Sequence, residues 1–136
     1  MKPIRLMIVD DLSEVREQLT TAIQLSAKSE NIALEIVAAA GNGYEAIHLV
    51  DLCMPDVILM DLEMPELGGL SAASRIKAFH PNMCILALTI HDSPATRLAV
   101  LQAGMDCLIS KGADISQIVK EVYAQSLKHD LSGTFI

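Results

Sequence analysis

Five short apolar runs alternate along the chain with five stretches whose apolar residues recur at helical spacing. Ile4 to Val9, Leu34 to Ala39, Val57 to Met60, Cys84 to Leu88 and Cys107 to Ile109 are short and almost uniformly apolar, the pattern of strands covered on both faces. Val15, Leu19, Ala22 and Ile23 mark one face of a helix over roughly Ser13 to Ala27. Gly41-Asn42-Gly43 turns the chain into a second helix from Tyr44 to Leu52, with Asn42 and Glu45 spaced as a capping box. Breakers fill Pro65 to Gly69, and a third helix follows from Leu70 to Phe79, stopping ahead of Pro81. Ser93 and Pro94 offer a cap and a first-turn proline to the fourth helix, which Gly104 can close. The fifth, near Asp114 to Lys128, aligns Ile115, Ile118, Val119, Val122 and Tyr123. Gln24 to Ala33 is longer than its connection needs and reads as a helix extension or a surface loop.

Strands alternating with helices imply parallel βαβ units with right-handed crossovers, hence a doubly wound α/β fold. The 136 residues suit one domain, placed at 1–128, with 129–136 as a C-terminal tail or the start of a linker. Trp is absent and only 3% of residues are aromatic, so the core must be aliphatic, with methionines as filler. The stripe of Leu98, Val100 and Leu101 with Ile109 is expected to be mostly core, any exposed part beside the fifth helix being a partner surface.

A net charge of −7, without a Lys/Arg cluster, argues against direct binding of nucleic acid or an anionic membrane by this chain. No apolar run approaches the roughly 18 residues of a membrane span, and no signal peptide is expected after Lys2. Cys53, Cys84 and Cys107 lack metal-ligand spacing and read as buried free thiols of a cytoplasmic protein.

The polar residues that end the strands carry the chemistry. Asp10 and Asp11 follow the first strand, Asp61 the third, Thr89 the fourth and Lys111 the fifth. In an open α/β sheet the site lies outside the carboxyl ends of the strands. Three carboxylates there make a hard-oxygen site for a divalent cation such as Mg²⁺. Without a cation they oppose one another: two unit charges about 4 Å apart repel by roughly 4 kcal/mol at an effective dielectric near 20. Asp61, alone after the middle strand, is the candidate nucleophile toward phosphorus. Lys111 and Thr89 would supply a cation and a hydroxyl donor to the phosphoryl group.

The stretches Ile8-Val9-Asp10-Asp11, Met60-Asp61-Leu62-Glu63-Met64-Pro65-Glu66-Leu67-Gly68-Gly69-Leu70, Leu88-Thr89 and Ser110-Lys111 resemble the receiver domain of bacterial two-component response regulators. Leu88 to Asp92 and Leu101 to Asp106 resemble its LuxR-type subgroup. The resemblance implies a flavodoxin-like five-stranded parallel sheet of order 2-1-3-4-5 with five helices. It implies that Asp61 accepts a phosphoryl group from a sensor histidine kinase or phosphotransfer protein. Asp11, Asp61 and the Glu63 backbone carbonyl would bind Mg²⁺, Asp10 would act through a metal-bound water, and Lys111 and Thr89 would contact the phosphate. The output would be a changed surface on the fourth helix, fifth strand and fifth helix, engaging a second copy or an output domain, in transcriptional control and not as a metabolic enzyme.

Some positions depart from the family pattern. Leu108 stands where receivers commonly place a Tyr or Phe that moves with the threonine, and Ile90 is bulkier than the usual Ala or Gly and would narrow access to Asp61. Glu63 and His91, each two residues past a site residue, are expected to tune phosphoryl lifetime; His48, His80 and His129 read as surface or capping residues. Two alternatives stand beside the switch: a receiver that binds partners without phosphorylation, and a flavodoxin-like cofactor binder, which lacks aromatic residues to stack a flavin.

Overall fold

The protein, seen as a computed structural model, is described over residues 2–134, with side chains through 130. Strands β1 (Ile4–Val9), β2 (Leu34–Ala40), β3 (Val57–Asp61), β4 (Cys84–Thr89) and β5 (Cys107–Ser110) alternate with helices α1 (Ser13–Ser29), α2 (Gly43–Cys53), α3 (Gly69–Phe79), α4 (Pro94–Gln102) and α5 (Ile115–Thr134). Every strand pair is parallel and the order is β2-β1-β3-β4-β5, the doubly wound, flavodoxin-like sheet expected from the sequence.

The central strands are apolar throughout because helices cover both faces. Met7, Ile58, Met60, Ile85 and Ala87 pack toward α2, α3 and α4 against Val50, Ala72, Ile76 and Val100. Leu6, Ile8, Leu59, Leu86 and Leu88 pack the other way, against Ile23 and Ala27 of α1 and Ile118, Val119 and Val122 of α5. Full burial of one such side chain is worth about 1.5–3 kcal/mol. At the edge, β2 is mostly half-buried.

Local signals act mostly as expected. Asn42 Oδ1 accepts from the Glu45 N–H (2.8 Å), but Glu45 reaches back to the Gly41 N–H, one residue beyond the Asn42 N–H that a true capping box would use. Ser93 Oγ accepts from the Thr96 N–H (3.1 Å) ahead of Pro94, and Gly104 takes a left-handed φ of 82° behind α4.

Several expectations need correction. The long Gln24–Ala33 segment is both helix and turn: α1 runs to Ser29, Asn31 turns left-handed, and the Ile32 N–H returns to the Ala27 carbonyl (2.8 Å). The last helix does not end at Lys128 but continues to Thr134, because His129 anchors it between the Asn82 carbonyl (2.9 Å) and Asp106 Oδ1 (3.0 Å). The expected tail at 129–136 therefore begins as helix, and residues 135–136 lie outside the described ones. Leu98 and Leu101 are not core: they are 55% and 71% exposed, since α4 turns its Thr96, Val100 and Ala103 side inward. Of the methionines, Met54 is also exposed. The cysteines are free, but only Cys84 is buried; burial pushes the Cys84 and Cys107 thiols up to about 12, so both stay neutral. Among the described residues no helix is long and apolar enough to cross a membrane.

Candidate functional site

Strand register assembles the polar residues. Val9 pairs with Met60, so Asp10 and Asp61 emerge side by side at the carboxyl edge. Asp61 pairs with Leu88 and Thr89 with Ser110, which brings Thr89 and then Lys111 to the same edge. The ladder continues past the strands: Leu62 N–H donates to the Leu88 carbonyl (3.1 Å) and Lys111 N–H to the Thr89 carbonyl (2.9 Å). All five expected residues are thus brought together.

Carboxylate oxygens of Asp10, Asp11 and Asp61 lie within 4.8 Å of one another. Lys111 Nζ sits 3.0 Å from Asp61 Oδ2 and 3.9 Å from Asp10 Oδ2. One lysine opposite three carboxylates leaves the cluster short of positive charge. Asp10 Oδ1 accepts from the Leu12 N–H (3.0 Å), whereas Asp10 Oδ2 is buried without any hydrogen-bond partner. An orphaned buried carboxylate oxygen costs free energy unless a cation meets it. The donor set, hard oxygens only, fits Mg²⁺ or a similar divalent ion.

Burial raises the Asp61 carboxyl to about 6, against the pull of Lys111 and the Glu63 N–H, and the Asp10 charge adds to the rise. Burial alone would lower Lys111, but its hydrogen bond to Asp61 and the charges of Asp61, Asp10 and Glu63 outweigh that and hold it above the usual lysine value. A divalent cation would reverse this balance by favouring ionised Asp61.

The loop after β3 closes over the edge. Gly69 allows it to double back: a Cβ there would lie 2.3 Å from the Asp61 carbonyl oxygen, so no side chain fits. Glu63 N–H donates to Asp61 Oδ1 (3.0 Å), and its side chain reaches Thr89 and Ile90, with Oε1 accepting from Thr89 Oγ1 (2.5 Å) and from the Ile90 N–H (3.1 Å). Burial pushes Glu63 up, yet hydrogen bonds involving Thr89, Asp61 and Ile90 prevail and leave its carboxyl below the ordinary glutamate value. Sequence reasoning placed Glu63 near the site but missed this cross-loop contact, for which no sequence spacing gives a signal. The side chain of Ile90 is 66% exposed, and its backbone N–H is held by Glu63 Oε1. His91 is exposed and its N–H donates to Thr89 Oγ1 (2.9 Å). Leu108 is half-buried against the core beneath α4.

Comparison with known proteins agrees with this geometry. The chain is 31% identical over 119 residues to the response regulator GacA of Pseudomonas viridiflava, covering 88% of this chain and 53% of that protein. It is also 31% identical to the response regulator MprA of a Mycobacterium species, covering 90% of this chain and 50% of that one. The chain thus spans about half the length of these curated relatives. Among solved structures, the receiver domain of the NarL response regulator from Mycobacterium tuberculosis superposes with a TM-score of 0.83 at 28% identity, covering 93% of this chain and 98% of that one. Residues 6–123 match the model of the response regulator receiver domain, and with the sheet order and the clustered carboxylates this places the chain in that family.

Proposed function

We propose that this receiver domain is a phosphorylation-controlled switch with Asp61 as phosphoacceptor. One observation carries the reading: a buried Asp61 carboxyl faces Lys111 at 3.0 Å, beside Asp10 and Asp11, at the carboxyl edge of the sheet. Asp61 oxygen forms a bond to phosphorus as the P–N bond of a donor phosphohistidine breaks, and the imidazole leaves with the electron pair and takes up a proton. The donor is a sensor histidine kinase or a phosphotransfer protein. Asp11, Asp61 and the Glu63 carbonyl would hold Mg²⁺, with Asp10 acting through water, and the ion would supply positive charge against the phosphoryl oxygens. Lys111 holds one side of the phosphoryl group, and the Thr89 hydroxyl donates to it.

The product is a changed surface. Leu98 and Leu101 of α4 expose apolar area beside β5, the edge strand, where a second copy or an output domain would dock. Likeness to LuxR-type regulators supports an output in transcriptional control, and the three free cysteines suit the reducing cytoplasm.

The test is intact-protein mass after incubation with acetyl phosphate, with and without Mg²⁺, beside Asp61→Asn. One phosphoryl addition that needs Mg²⁺ and is absent from the variant is expected. No addition, together with no Mg²⁺ binding, would overturn the reading in favour of a phosphorylation-independent interaction module, to which Leu108 in the usual aromatic position lends support.

A further inference from the structure

A phosphoryl group on Asp61 would bring three acceptor oxygens to this edge and need donors for them. The Thr89 hydroxyl, the Ile90 N–H and Lys111, at the carboxyl ends of β4 and β5, are the donors that would meet them. Two of these three already serve another anion. Glu63 Oε1 takes both the Thr89 Oγ1–H bond and the Ile90 N–H bond, while Glu63 Oε2 is buried with no hydrogen-bond partner. The Asp61 carboxyl is a close neighbour of the same group, and the Glu63 N–H is fixed to Asp61 Oδ1. A glutamate acting only as a solvated loop residue would extend into water and order nothing. This one spends side-chain entropy and the hydration of one oxygen to sit between Thr89 and Asp61.

We propose that the Glu63 carboxylate is an internal occupant of the phosphoryl subsite, a latch that holds Thr89 and Ile90 in their bonded positions and must leave before a phosphoryl group can enter. The inference rests on the phosphoacceptor reading of Asp61 and adds to it a regulatory contact made by this chain's own side chain. Its consequences run in two directions. Phosphorylation is slowed, because the incoming anion must displace a carboxylate from its donors. Thr89 is meanwhile held toward the site before any phosphate arrives, so the change on phosphorylation is mainly the expulsion of Glu63 and not a first capture of Thr89. Aspartyl phosphate, with more charge and more acceptor oxygens than a carboxylate, wins the exchange once formed.

Two readouts on the intact chain test this. The first is the rate of phosphorylation by acetyl phosphate with Mg²⁺ in the natural protein, Glu63→Gln and Glu63→Ala. Removing the latch in Glu63→Ala should raise the rate about three- to tenfold. Glu63→Gln, which keeps an acceptor oxygen but loses the charge, should fall between. The second is the amide resonance of Ile90 in ¹H–¹⁵N spectra. Before phosphorylation it should differ between the natural protein and Glu63→Ala; afterwards the two should coincide, because Glu63 has left in one and is missing in the other. An equal rate in all three proteins, or an Ile90 difference that persists unchanged after phosphorylation, would overturn the latch while leaving Asp61 as acceptor. A rate gain without any Ile90 difference before phosphorylation would reduce Glu63 to a charge that repels the donor, and overturn the latch as well. No phosphorylation of any of the three proteins would overturn both the latch and the reading it rests on.

Discussion

At the amino edge of the sheet, Asp106 Oδ2 accepts from the Ile85 N–H (2.8 Å) and from Lys77 (3.2 Å), and its Oδ1 meets His129 (3.0 Å). Nearby, Asp56 accepts from the Arg5 N–H (2.8 Å). At the carboxyl edge of the same strands, Asp10 keeps a buried oxygen with no donor and Asp61 is held at about 6. Both edges use aspartates at or just beyond the ends of β-strands, yet only one completes their partnerships. The amino edge spends its carboxylates on joining loops to the sheet and α5 to both. The carboxyl edge leaves them short of positive charge, which weakens the resting fold and, on the function proposed above, suits it to a cation and a phosphoryl group.

The largest effect should come from breaking the satisfied edge. Asp106→Ala strands the Ile85 N–H and the Lys77 ammonium, and should cost about 3 kcal/mol in urea unfolding; a loss below about 1 kcal/mol would contradict its role as a structural junction. At the other edge a substitution should stabilise. The folded state binds the Asp61 proton more tightly than the unfolded chain does, so the stability due to that proton is complete below about pH 4 and is lost as pH rises through about 6. Asp61→Asn should therefore be more stable than the natural protein by up to about 3 kcal/mol at pH 8 without Mg²⁺, with the gap closing near pH 4. A gap independent of pH would break the comparison.

Mg²⁺ should sharpen it. At about ten times its dissociation constant the ion should stabilise the natural protein by about 1.4 kcal/mol. The same increment is expected in Asp106→Ala, and none in an Asp10→Asn, Asp11→Asn double variant. The smallest effect is reserved for His129→Ala, which should cost about 1 kcal/mol and speed amide exchange in the last turns of α5. Unchanged exchange there would mean that the helix end does not depend on the Asp106 junction.

Most of the fold was legible because the strands are buried on both faces and therefore announce themselves as continuous apolar runs. The five site residues were legible for a related reason: each is the first or second polar residue after such a run. What escaped depended on choices that periodicity does not encode. Leu98 and Leu101 share a helical spacing that suits a core, and only the seating of α4 on Thr96, Val100 and Ala103 turns them outward. The length of α5 rests on His129 meeting Asn82 and Asp106, residues far away in sequence. Glu63 was visible as a neighbour of Asp61, but its bonds to Thr89 and Ile90 cross from one loop to another.

The loop after β3 has an unequal tolerance for change built into it. At Gly69 a single methyl would overlap the Asp61 carbonyl oxygen, whereas at Gly68 the same methyl would meet its nearest neighbour at an ordinary 3.6 Å. Mutational drift can therefore sample chemistry near the tip, at Glu63 and the residues beside it, without moving the hinge that aims it. Variants selected for slower or faster signalling should accumulate at the tip, and a library that randomises residue 69 should return glycine.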